Sequence, residues 1–188
     1  MTRNLLLEEL ERNRGPSRLY RIRMATPPDI EQILAEHGPM IMRIAASYEA
    51  DPHHVADVVQ EILVALWKAL PHFRGEASLR TFVARVAHNR CVSHVVRQSR
   101  GAETIELSAD LPAADAGPES SAIQEERQQA LLARIRRLPL AYRAAVTLTL
   151  EGFRPPEIAE LLGVSVNAVG IRLTRAKALL ADQFKEMA

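Results

Sequence analysis

Apolar residues recur every three or four positions through most of this chain, and prolines and glycines interrupt the recurrence at a few places. A helix turns once in 3.6 residues, so this spacing places the apolar residues on one helical face. Aromatic residues make up only 4% of the 188 residues, whereas Ala, Leu, Arg and Glu are common. This composition favours helices over sheets. The sequence therefore predicts an all-α protein with one or two small domains.

The interruptions divide the chain into four segments. Residues 1–28 combine a short leucine-rich patch with basic residues and prolines, and are interpreted as an N-terminal extension. Residues 29–100 are predicted to form a first helical domain. Residues 101–122 have little apolar periodicity and are interpreted as a flexible acidic linker. Helices are expected to resume near Ile123, so that residues 123–188 form a second helical domain.

Candidate caps give the expected helix starts in the first domain. Asp29 follows two prolines, Asp51 precedes a proline and Ser78 follows a glycine-containing loop, so each is placed to cap a helix. Gly38 and Pro39 are expected to break the first helix.

The charges are segregated along the chain. Residues 68–100 carry seven basic side chains and one acidic side chain, and residues 127–188 carry ten basic and five acidic side chains. Residues 101–126, between them, carry seven acidic side chains and no basic one. Clustered Arg and Lys attract phosphates at long range, so the pattern indicates two contacts with a polyanion. Solvated helix faces are the alternative explanation.

Cysteine usage and hydropathy narrow the class of protein. Cys91 is the only cysteine, which excludes an internal disulfide and fits a cytoplasmic protein. No apolar run approaches the roughly 20 residues that span a bilayer. His88, Cys91 and His94 are candidate metal ligands, but their spacing covers a wide helical arc without an evident fourth ligand, so a buried Cys91 is the preferred interpretation. No catalytic motif is present, and an enzyme is not expected.

The stretch "LLGVSVNAVGIRLTRAK", residues 161–177, predicts a helix-turn-helix. Gly163 is expected to end one helix and Ser165 to cap the next. The residues expected to be buried on the second helix are Val166, Val169, Leu173, Ala176 and Leu180. The residues expected to face DNA are Asn167, Gly170, Ile171 and Thr174, flanked by Arg172 and Arg175. A helical hairpin with a basic rim remains the alternative.

A longer segment before the helix-turn-helix is more specific about the class of protein. Residues 51–97, "DPHHVADVVQEILVALWKALPHFRGEASLRTFVARVAHNRCVSHVVR", resemble the promoter-melting domain of a bacterial sigma factor of the extracytoplasmic-function (ECF) group, within the sigma-70 family. The positions that carry this resemblance are Asp51-Pro52, Asp57 to Glu61, Trp67, Phe73 to Gly75, Thr81-Phe82 and Asn89. Residues 138–177 are similar to the family's second domain, and the likeness covers roughly residues 30–186. Ala84 and Ser93 stand where an aromatic residue and an Asp are common in the family.

The resemblance implies a division of labour between the two domains. The first would bind the β′ clamp coiled coil of core RNA polymerase and melt the −10 element of promoter DNA. The second would place its helix-turn-helix in the −35 element. The resemblance further implies no enzymatic activity, no cofactor or required metal, and regulation by an anti-sigma factor.

Site residues follow from the matched positions. Asp57, Gln60 and Glu61 share one helical face, and the resemblance assigns them to polymerase binding, with a solvated polar face as the alternative. The residues expected to bind the −10 element are Phe73, Arg74, Arg80, Phe82, Arg85, Asn89 and Arg90. For Phe82, core packing is an equally open interpretation. The residues expected to bind the −35 element are Asn167, Ile171, Arg172, Thr174 and Arg175.

One rival interpretation stays open at this point. A conventional helix-turn-helix regulator with a helical sensing domain would bind duplex operator DNA without polymerase, usually as a dimer. Dependence of transcription initiation on the protein discriminates between the two classes.

Overall fold

Every regular element that the structure describes is helical. The structure is a computed structural model that describes residues 29–102 and 119–185. The N-terminal extension, with its leucine-rich patch, lies outside the described residues. The elements in the described ranges are α1 (Ile30–Ala46), α2 (Pro52–Ala69), a short 3-10 turn (Leu70–His72), α3 (Leu79–Ala102), α4 (Glu119–Arg137), α5 (Leu140–Leu150), α6 (Pro155–Leu162) and α7 (Val166–Lys185). The prediction of an all-α fold is confirmed.

The predicted helix starts in the first domain are at the expected positions. Asp51 Oδ1 accepts a 2.8 Å hydrogen bond from the amide of His53 at the start of α2. Ser78 Oγ accepts one of 3.1 Å from the amide of Thr81 at the start of α3. Asp29 has the extended backbone of a cap before α1, but its side chain makes no capping bond. Two of the three caps therefore act through their side chains.

The break expected at Gly38 and Pro39 is wrong, because α1 continues through both residues. A proline inside a helix removes one hydrogen bond and costs about 3 kcal/mol or more. Ile33, Ile41 and Ile44 on either side of it are at most 1% exposed. Burying each such side chain contributes roughly 1.5–3 kcal/mol, which is enough together to outweigh the cost of the proline.

Helices α1, α2 and α3 pack against one another around an apolar core. The side chains that meet there are at most 1% exposed: Ile33, Ile41, Ile44, Val58, Ile62, Leu66, Val83, Ala87 and Cys91. On α2 the buried residues lie on a different face from Asp57 and Gln60, as the spacing predicts. Cys91 is buried, as expected.

Helices α4 to α7 form a second helical group, in which α7 contacts α4, α5 and α6. Val169 and Ala176 are buried as predicted, and Leu173 and Leu180 are half-buried. Val166 is 49% exposed, so its predicted burial is wrong. Helical side chains lean toward the N-terminus, and Val166 is the first residue of α7, so its side chain leans past the end of the helix.

The two helices that flank the linker extend into the segment assigned to it. Helix α3 extends to Ala102, beyond the predicted end of the first domain, and α4 begins at Glu119, before the predicted restart near Ile123. Residues 103–118 lie outside the described residues.

The two helical groups lie in contact and share a continuous apolar core. Thr147 Oγ1 donates a 3.0 Å hydrogen bond to Ser47 Oγ, and both residues are buried. Arg136 Nε donates one of 3.1 Å to the carbonyl oxygen of Ala46. Helix α6 packs against α3. The sequence predicts two tethered domains and gives no indication of this contact.

A groove of about 370 Å³ follows one side of the contact. Its apolar lining consists of Met42, Ala46, Leu131, Leu132, Ile135 and Leu150. Leu131 is 36% exposed, because it faces this groove. None of the described helices is both long enough and apolar enough to cross a bilayer.

Candidate nucleic-acid interface

Helix α2 presents an outer face that carries two of the three predicted polymerase-binding residues. Asp57 and Gln60 are exposed. Glu61 is half-buried, and its two carboxylate oxygens accept hydrogen bonds of 2.8 and 2.7 Å from Arg97 on α3. The predicted set is thus divided, because Asp57 and Gln60 are open to solvent while Glu61 forms an ion pair inside the chain.

Two exposed apolar side chains extend this face along α2. Val64 is 51% exposed and Trp67 is 65% exposed. They follow Gln60 at intervals of four and three residues, which places all three on neighbouring turns of one helix face. Exposed aromatic side chains are enriched at protein interfaces. Neither residue was assigned to a site from the sequence, although both fall outside the apolar stripe that α2 buries, and that position was the available signal.

The loop before α3 carries the aromatic part of the predicted −10 site. The ring centroids of Phe73 and Phe82 lie 4.8 Å apart with the rings tilted by 45°. Both residues are half-buried, and Phe82 also packs against the core. Core packing and a place beside the candidate DNA surface are therefore compatible for Phe82. The neighbouring Arg74 is exposed.

The middle of α3 exposes Asn89 and Arg90. Ser93 Oγ donates a 2.9 Å hydrogen bond to the backbone carbonyl oxygen of Asn89, so this bond is internal to α3 and does not involve the Asn89 side chain. Among the described residues, the side-chain amide of Asn89 has no hydrogen-bond partner. Ala84, which stands where the family commonly has an aromatic residue, is fully buried.

Two predicted −10 residues, both half-buried, contact the second helical group. The guanidinium of Arg80 donates to the carbonyl oxygen of Glu151 and lies 4.3 Å from the centroid of the Phe153 ring. Arg85 Nη2 donates a 3.2 Å hydrogen bond to the Glu160 carboxylate. The predicted −10 set is therefore divided. Arg74, Asn89 and Arg90 are exposed, whereas Arg80 and Arg85 form hydrogen bonds to the second helical group.

The predicted helix-turn-helix consists of α6, a glycine turn and α7. Gly163 follows α6 with φ of 65°, a left-handed conformation that favours glycine. Ser165 Oγ accepts a 3.1 Å hydrogen bond from the amide of Ala168 and caps α7. Helices α6 and α7 pack together through buried residues such as Ile158 and Val169. This geometry leaves the outer face of α7 exposed.

That outer face carries the residues predicted to contact the −35 element. Its exposed members are Asn167, Gly170, Ile171, Thr174 and Arg175. Arg172 is half-buried at the edge of the face. Thr174 Oγ1 donates a 3.0 Å hydrogen bond to the carbonyl oxygen of Gly170, so its hydroxyl is engaged within the helix. Arg175 Nη1 reaches the hydroxyl of Tyr142 only at 3.4 Å, a weak contact.

The candidate metal ligands on α3 do not converge. His88 Nδ1 lies 2.9 Å from the hydroxyl of Tyr48, and His94 Nε2 lies 2.8 Å from the Glu49 carboxylate. Burial raises the pKa of the Cys91 thiol to about 12 and lowers the pKa of His88 to about 4. The described ranges contain no group of His, Cys, Asp and Glu that could hold a metal ion.

Glu49 fixes the turn between α1 and α2. Burial by itself would raise its pKa, but hydrogen bonds from His94, from the amide of Asp51, from Gln98 and from the amide of Ala50 outweigh burial and lower the pKa to about 2. The carboxylate therefore stays ionised and positions the first turn of α2, the helix that presents Asp57 and Gln60.

Family comparisons match both halves of the chain. The family described as "Sigma-70 region 2" matches residues 33–101. The family described as "Sigma-70, region 4" matches residues 128–180. The first match contains α2 and nearly all of α3 with the candidate polymerase and −10 residues, and the second contains α6, the glycine turn and most of α7.

Curated relatives align with most of the chain. RNA polymerase sigma factor NccH of Alcaligenes xylosoxydans xylosoxydans is 31% identical over 158 residues, which cover 79% of this chain and 83% of that protein. The ECF RNA polymerase sigma-E factor of Escherichia coli strain K12 is 31% identical over 144 residues, which cover 71% of this chain and 75% of that protein.

Solved structures share the fold. CnrH, in its complex with the cytosolic domain of CnrY, matches with a TM-score of 0.63 at 24% identity, covering 93% of this chain and 98% of that chain. The sigma factor RpoE of Bartonella quintana, in complex with the anti-sigma factor NepR, matches with a TM-score of 0.64 at 21% identity. The match covers 82% of this chain and 96% of that chain.

These comparisons decide between the two classes that the sequence left open. A conventional regulator is not favoured, because the half that it would use as a sensing domain matches sigma-70 region 2. The relatives extend over both halves in the same order. The chain therefore belongs to the sigma-70 family and is an RNA polymerase sigma factor of the ECF group.

Proposed function

We propose that this sigma factor directs core RNA polymerase to a defined set of promoters and helps to melt their −10 element. The observation that carries the proposal is the presence of three separate exposed surfaces on one chain. They lie on the outer face of α2, on α3 around Asn89, and on the outer face of α7. Each surface suits a different partner.

The outer face of α2 is assigned to the β′ clamp coiled coil of the polymerase. Asp57 and Gln60 supply exposed polar groups, while Val64 and Trp67 supply exposed apolar area beside them. A binding site of this kind commonly has an aromatic anchor with a polar rim. Glu61 acts indirectly in this assignment, because its ion pair with Arg97 ties α2 to α3.

The surface of α3 is assigned to the separated strand of the −10 element. Extruding a base costs a few kcal/mol unless a pocket receives it. The side-chain amide of Asn89 can bond the edge of a base, and the Phe73 and Phe82 rings form an aromatic pair near the start of the same helix. Arg74 and Arg90 are exposed and would hold the phosphates of the strand.

The outer face of α7 is assigned to the major groove of the −35 element. Asn167 and Arg175 can form bonds to base edges, and Ile171, 46% exposed, can contact a thymine methyl group. Arg172 lies at a position suited to a phosphate contact, and the methyl group of Thr174, whose hydroxyl is engaged with Gly170, can contact a thymine methyl group.

Two further assignments concern regulation. Two of the similar solved structures hold sigma factors in complexes with CnrY and with the anti-sigma factor NepR, which supports a protein antagonist for this chain as well. The acidic linker would compete with nucleic acid for basic walls of the polymerase, and a solubilising spacer is the alternative role. We also propose that the chain has no catalytic activity of its own and acts in the cytoplasm, beside the polymerase.

Reconstituted transcription tests the proposal. Core polymerase is mixed with the purified chain and a promoter library, and initiated transcripts are sequenced. Specific initiation that depends on the chain is expected, together with a shared −10 and −35 pattern upstream of the start sites. Duplex binding without any polymerase-dependent initiation would contradict the proposal and favour a conventional regulator.

A further inference from the structure

The apolar groove along the contact between the two helical groups is open to solvent. Three large apolar side chains of its lining are exposed: Met42 of α1 by 48%, Leu131 of α4 by 36% and Leu150 of α5 by 59%. Large apolar side chains that stand together at a surface mark a binding site, whereas single scattered ones do not. None of the three belongs to a surface proposed for polymerase or DNA, so the groove has a different occupant.

The dimensions of the groove indicate a short occupant. Its volume of about 370 Å³ is near the lower end of the roughly 300–1,000 Å³ that binding clefts enclose. Met42 and Ala46 are one turn apart on α1, and Leu131 and Ile135 are one turn apart on α4. A short amphipathic helix, with two or three apolar side chains on one face, matches a groove with such walls.

The rim of the groove on α4 is basic. Arg127 precedes Leu131 by four residues and Arg134 follows it by three, so the three residues lie on neighbouring turns. Arg127 is exposed and Arg134 is half-buried. Glu151, the acidic residue of the lining, already accepts two hydrogen bonds of 2.8 and 2.7 Å from Arg43. An occupant that carries acidic residues beside its apolar face would therefore suit this rim.

Residues 4–11, "NLLLEELE", combine an apolar face with acidic residues. They belong to the N-terminal extension, outside the described residues. Leu6 and Leu7 precede Leu10 by four and three positions, a spacing that places all three on one face of a helix. The stretch has three acidic residues and no basic one. The linker, residues 103–118, has only three large apolar residues in sixteen positions and offers no comparable run.

The N-terminal extension is long enough to reach the groove. It joins α1 at Asp29, and Met42 lies thirteen residues further along the chain, near the other end of that helix. A helix rises 1.5 Å per residue, so the two points are roughly 20 Å apart. Residues 12–28 span up to about 55 Å when extended. Residues 4–11 can therefore fold back along α1 and enter the groove of their own chain.

We propose that residues 4–11 dock in this groove as a short helix of the same chain, with Leu6, Leu7 and Leu10 against its apolar lining and their acidic neighbours toward the basic rim. The docked segment contacts α1 and α4 together and so joins the two helical groups. Its tether gives it an effective concentration on the order of millimolar, so that even a weak contact fills the groove. This inference is independent of the proposed function, because the groove shares no residue with the three assigned surfaces.

Photocrosslinking in the full chain tests the docking. Leu131→p-benzoylphenylalanine places the crosslinker in the groove, and mass spectrometry of the digested products identifies the captured peptide. We expect capture of residues 1–14 within a single chain, with a yield that does not depend on protein concentration. The same crosslinker at Ile171, which is 46% exposed on the outer face of α7, is the positional control and should not capture this segment.

A charge-matched pair of variants tests the leucine face. Leu6→Glu combined with Leu10→Glu lowers the net charge by two and removes the apolar face, and we expect the crosslink to fall at least tenfold. Arg12→Glu also lowers the net charge by two, but it lies two positions after Leu10 and so on the opposite side of a helix. This variant should keep the crosslink.

A labelled peptide of residues 1–14 gives a second measurement by fluorescence anisotropy. The variant with Leu6→Glu and Leu10→Glu leaves its groove open, and we expect it to bind the peptide at least tenfold more tightly than the unaltered chain, whose own segment competes. Leu131→Glu added to that variant should abolish the binding. Ala130→Glu, at an exposed position on the other side of α4, is the matched control and should leave the binding intact.

Several outcomes would overturn the inference. A crosslink between two chains would make the groove a contact between copies, and capture of residues 103–118 would assign it to the linker. Absence of any captured peptide, or a crosslink that survives Leu6→Glu with Leu10→Glu, would also reject the docked segment. Equal affinity of the peptide for the unaltered chain and for that variant would reject it as well.

Discussion

The Tyr48 hydroxyl and His88 Nδ1 lie 2.9 Å apart and join α3 to the residues that follow α1. Their rings meet edge to face with centroids 6.0 Å apart. Burial lowers the pKa of His88 from 6.5 to about 4, so the imidazole is neutral in the folded chain at neutral pH. Burial also raises the pKa of Tyr48, which remains protonated.

This pair predicts the acid sensitivity of the fold. Between pH 6.5 and about 4 the unfolded chain protonates His88 while the folded chain does not, so the free energy of unfolding falls as the pH is lowered through this window. His88→Phe removes the titration and is expected to flatten that part of the curve, at a cost of about 1–3 kcal/mol at pH 7 from the unpaired Tyr48 hydroxyl. Urea denaturation at several pH values measures both effects. The exposed His53→Gln is the control and should keep the slope; an equal slope in His88→Phe contradicts the prediction.

The outer face of α2 should govern polymerase affinity without governing stability. Asp57→Ala and Trp67→Ala are each expected to weaken binding of core polymerase by about tenfold or more, because they remove exposed polar and aromatic contacts. Both side chains are exposed, so melting temperatures should change little. Titration of labelled core polymerase measures the affinity, and Gln32→Ala on the exposed side of α1 serves as control. Unchanged affinity in Trp67→Ala would remove that residue from the interface.

Helix α7 should make two kinds of DNA contact. Asn167→Ala is expected to cost about 1–3 kcal/mol on the cognate −35 sequence and little on other sequences, because an amide reads a base edge. Lys177→Ala, at an exposed position one turn after Thr174, is expected to weaken binding on all sequences and to reduce its salt dependence, because a lysine placed there would bind phosphate rather than a base. Promoter binding by the holoenzyme across a salt series distinguishes them. An equal loss on every sequence would show that Asn167 reads no base.

Two glycines near the helix-turn-helix should respond oppositely to alanine. Gly163 has a positive φ, so Gly163→Ala is expected to destabilise the chain by about 1 kcal/mol. Gly170 lies inside α7 with open space around its Cα, so Gly170→Ala is expected to stabilise by up to about 1 kcal/mol. Thermal unfolding compares the two, and a destabilised Gly170→Ala would indicate a contact of α7 that the fold does not contain.

Local features of the fold were predictable because each depends on a few neighbouring residues. The caps at Asp51, Ser78 and Ser165 and the left-handed Gly163 follow from short-range hydrogen bonding and backbone sterics. The expected break at Pro39 failed because distant burial outweighed a local penalty.

The arrangement of the candidate site was less accessible to sequence reasoning. Helical spacing placed Glu61 beside Asp57 and Gln60, but only the packing of α3 against α2 reveals its pairing with Arg97. The family resemblance and its positive charge assigned Arg80 to DNA without indicating that α5 ends beside it. Such contacts join residues far apart in sequence, and no local pattern specifies them.

The buried hydroxyl pair of Ser47 and Thr147 has a consequence for how the two halves part. If the halves separate, water can take the place of the partner of each hydroxyl. The same holds for the guanidinium groups of Arg43 and Arg136, which also bond across this contact. Because these groups can bond water once exposed, parting the halves would leave none of them without a partner, and the cost of separation would fall on the apolar core that the halves share.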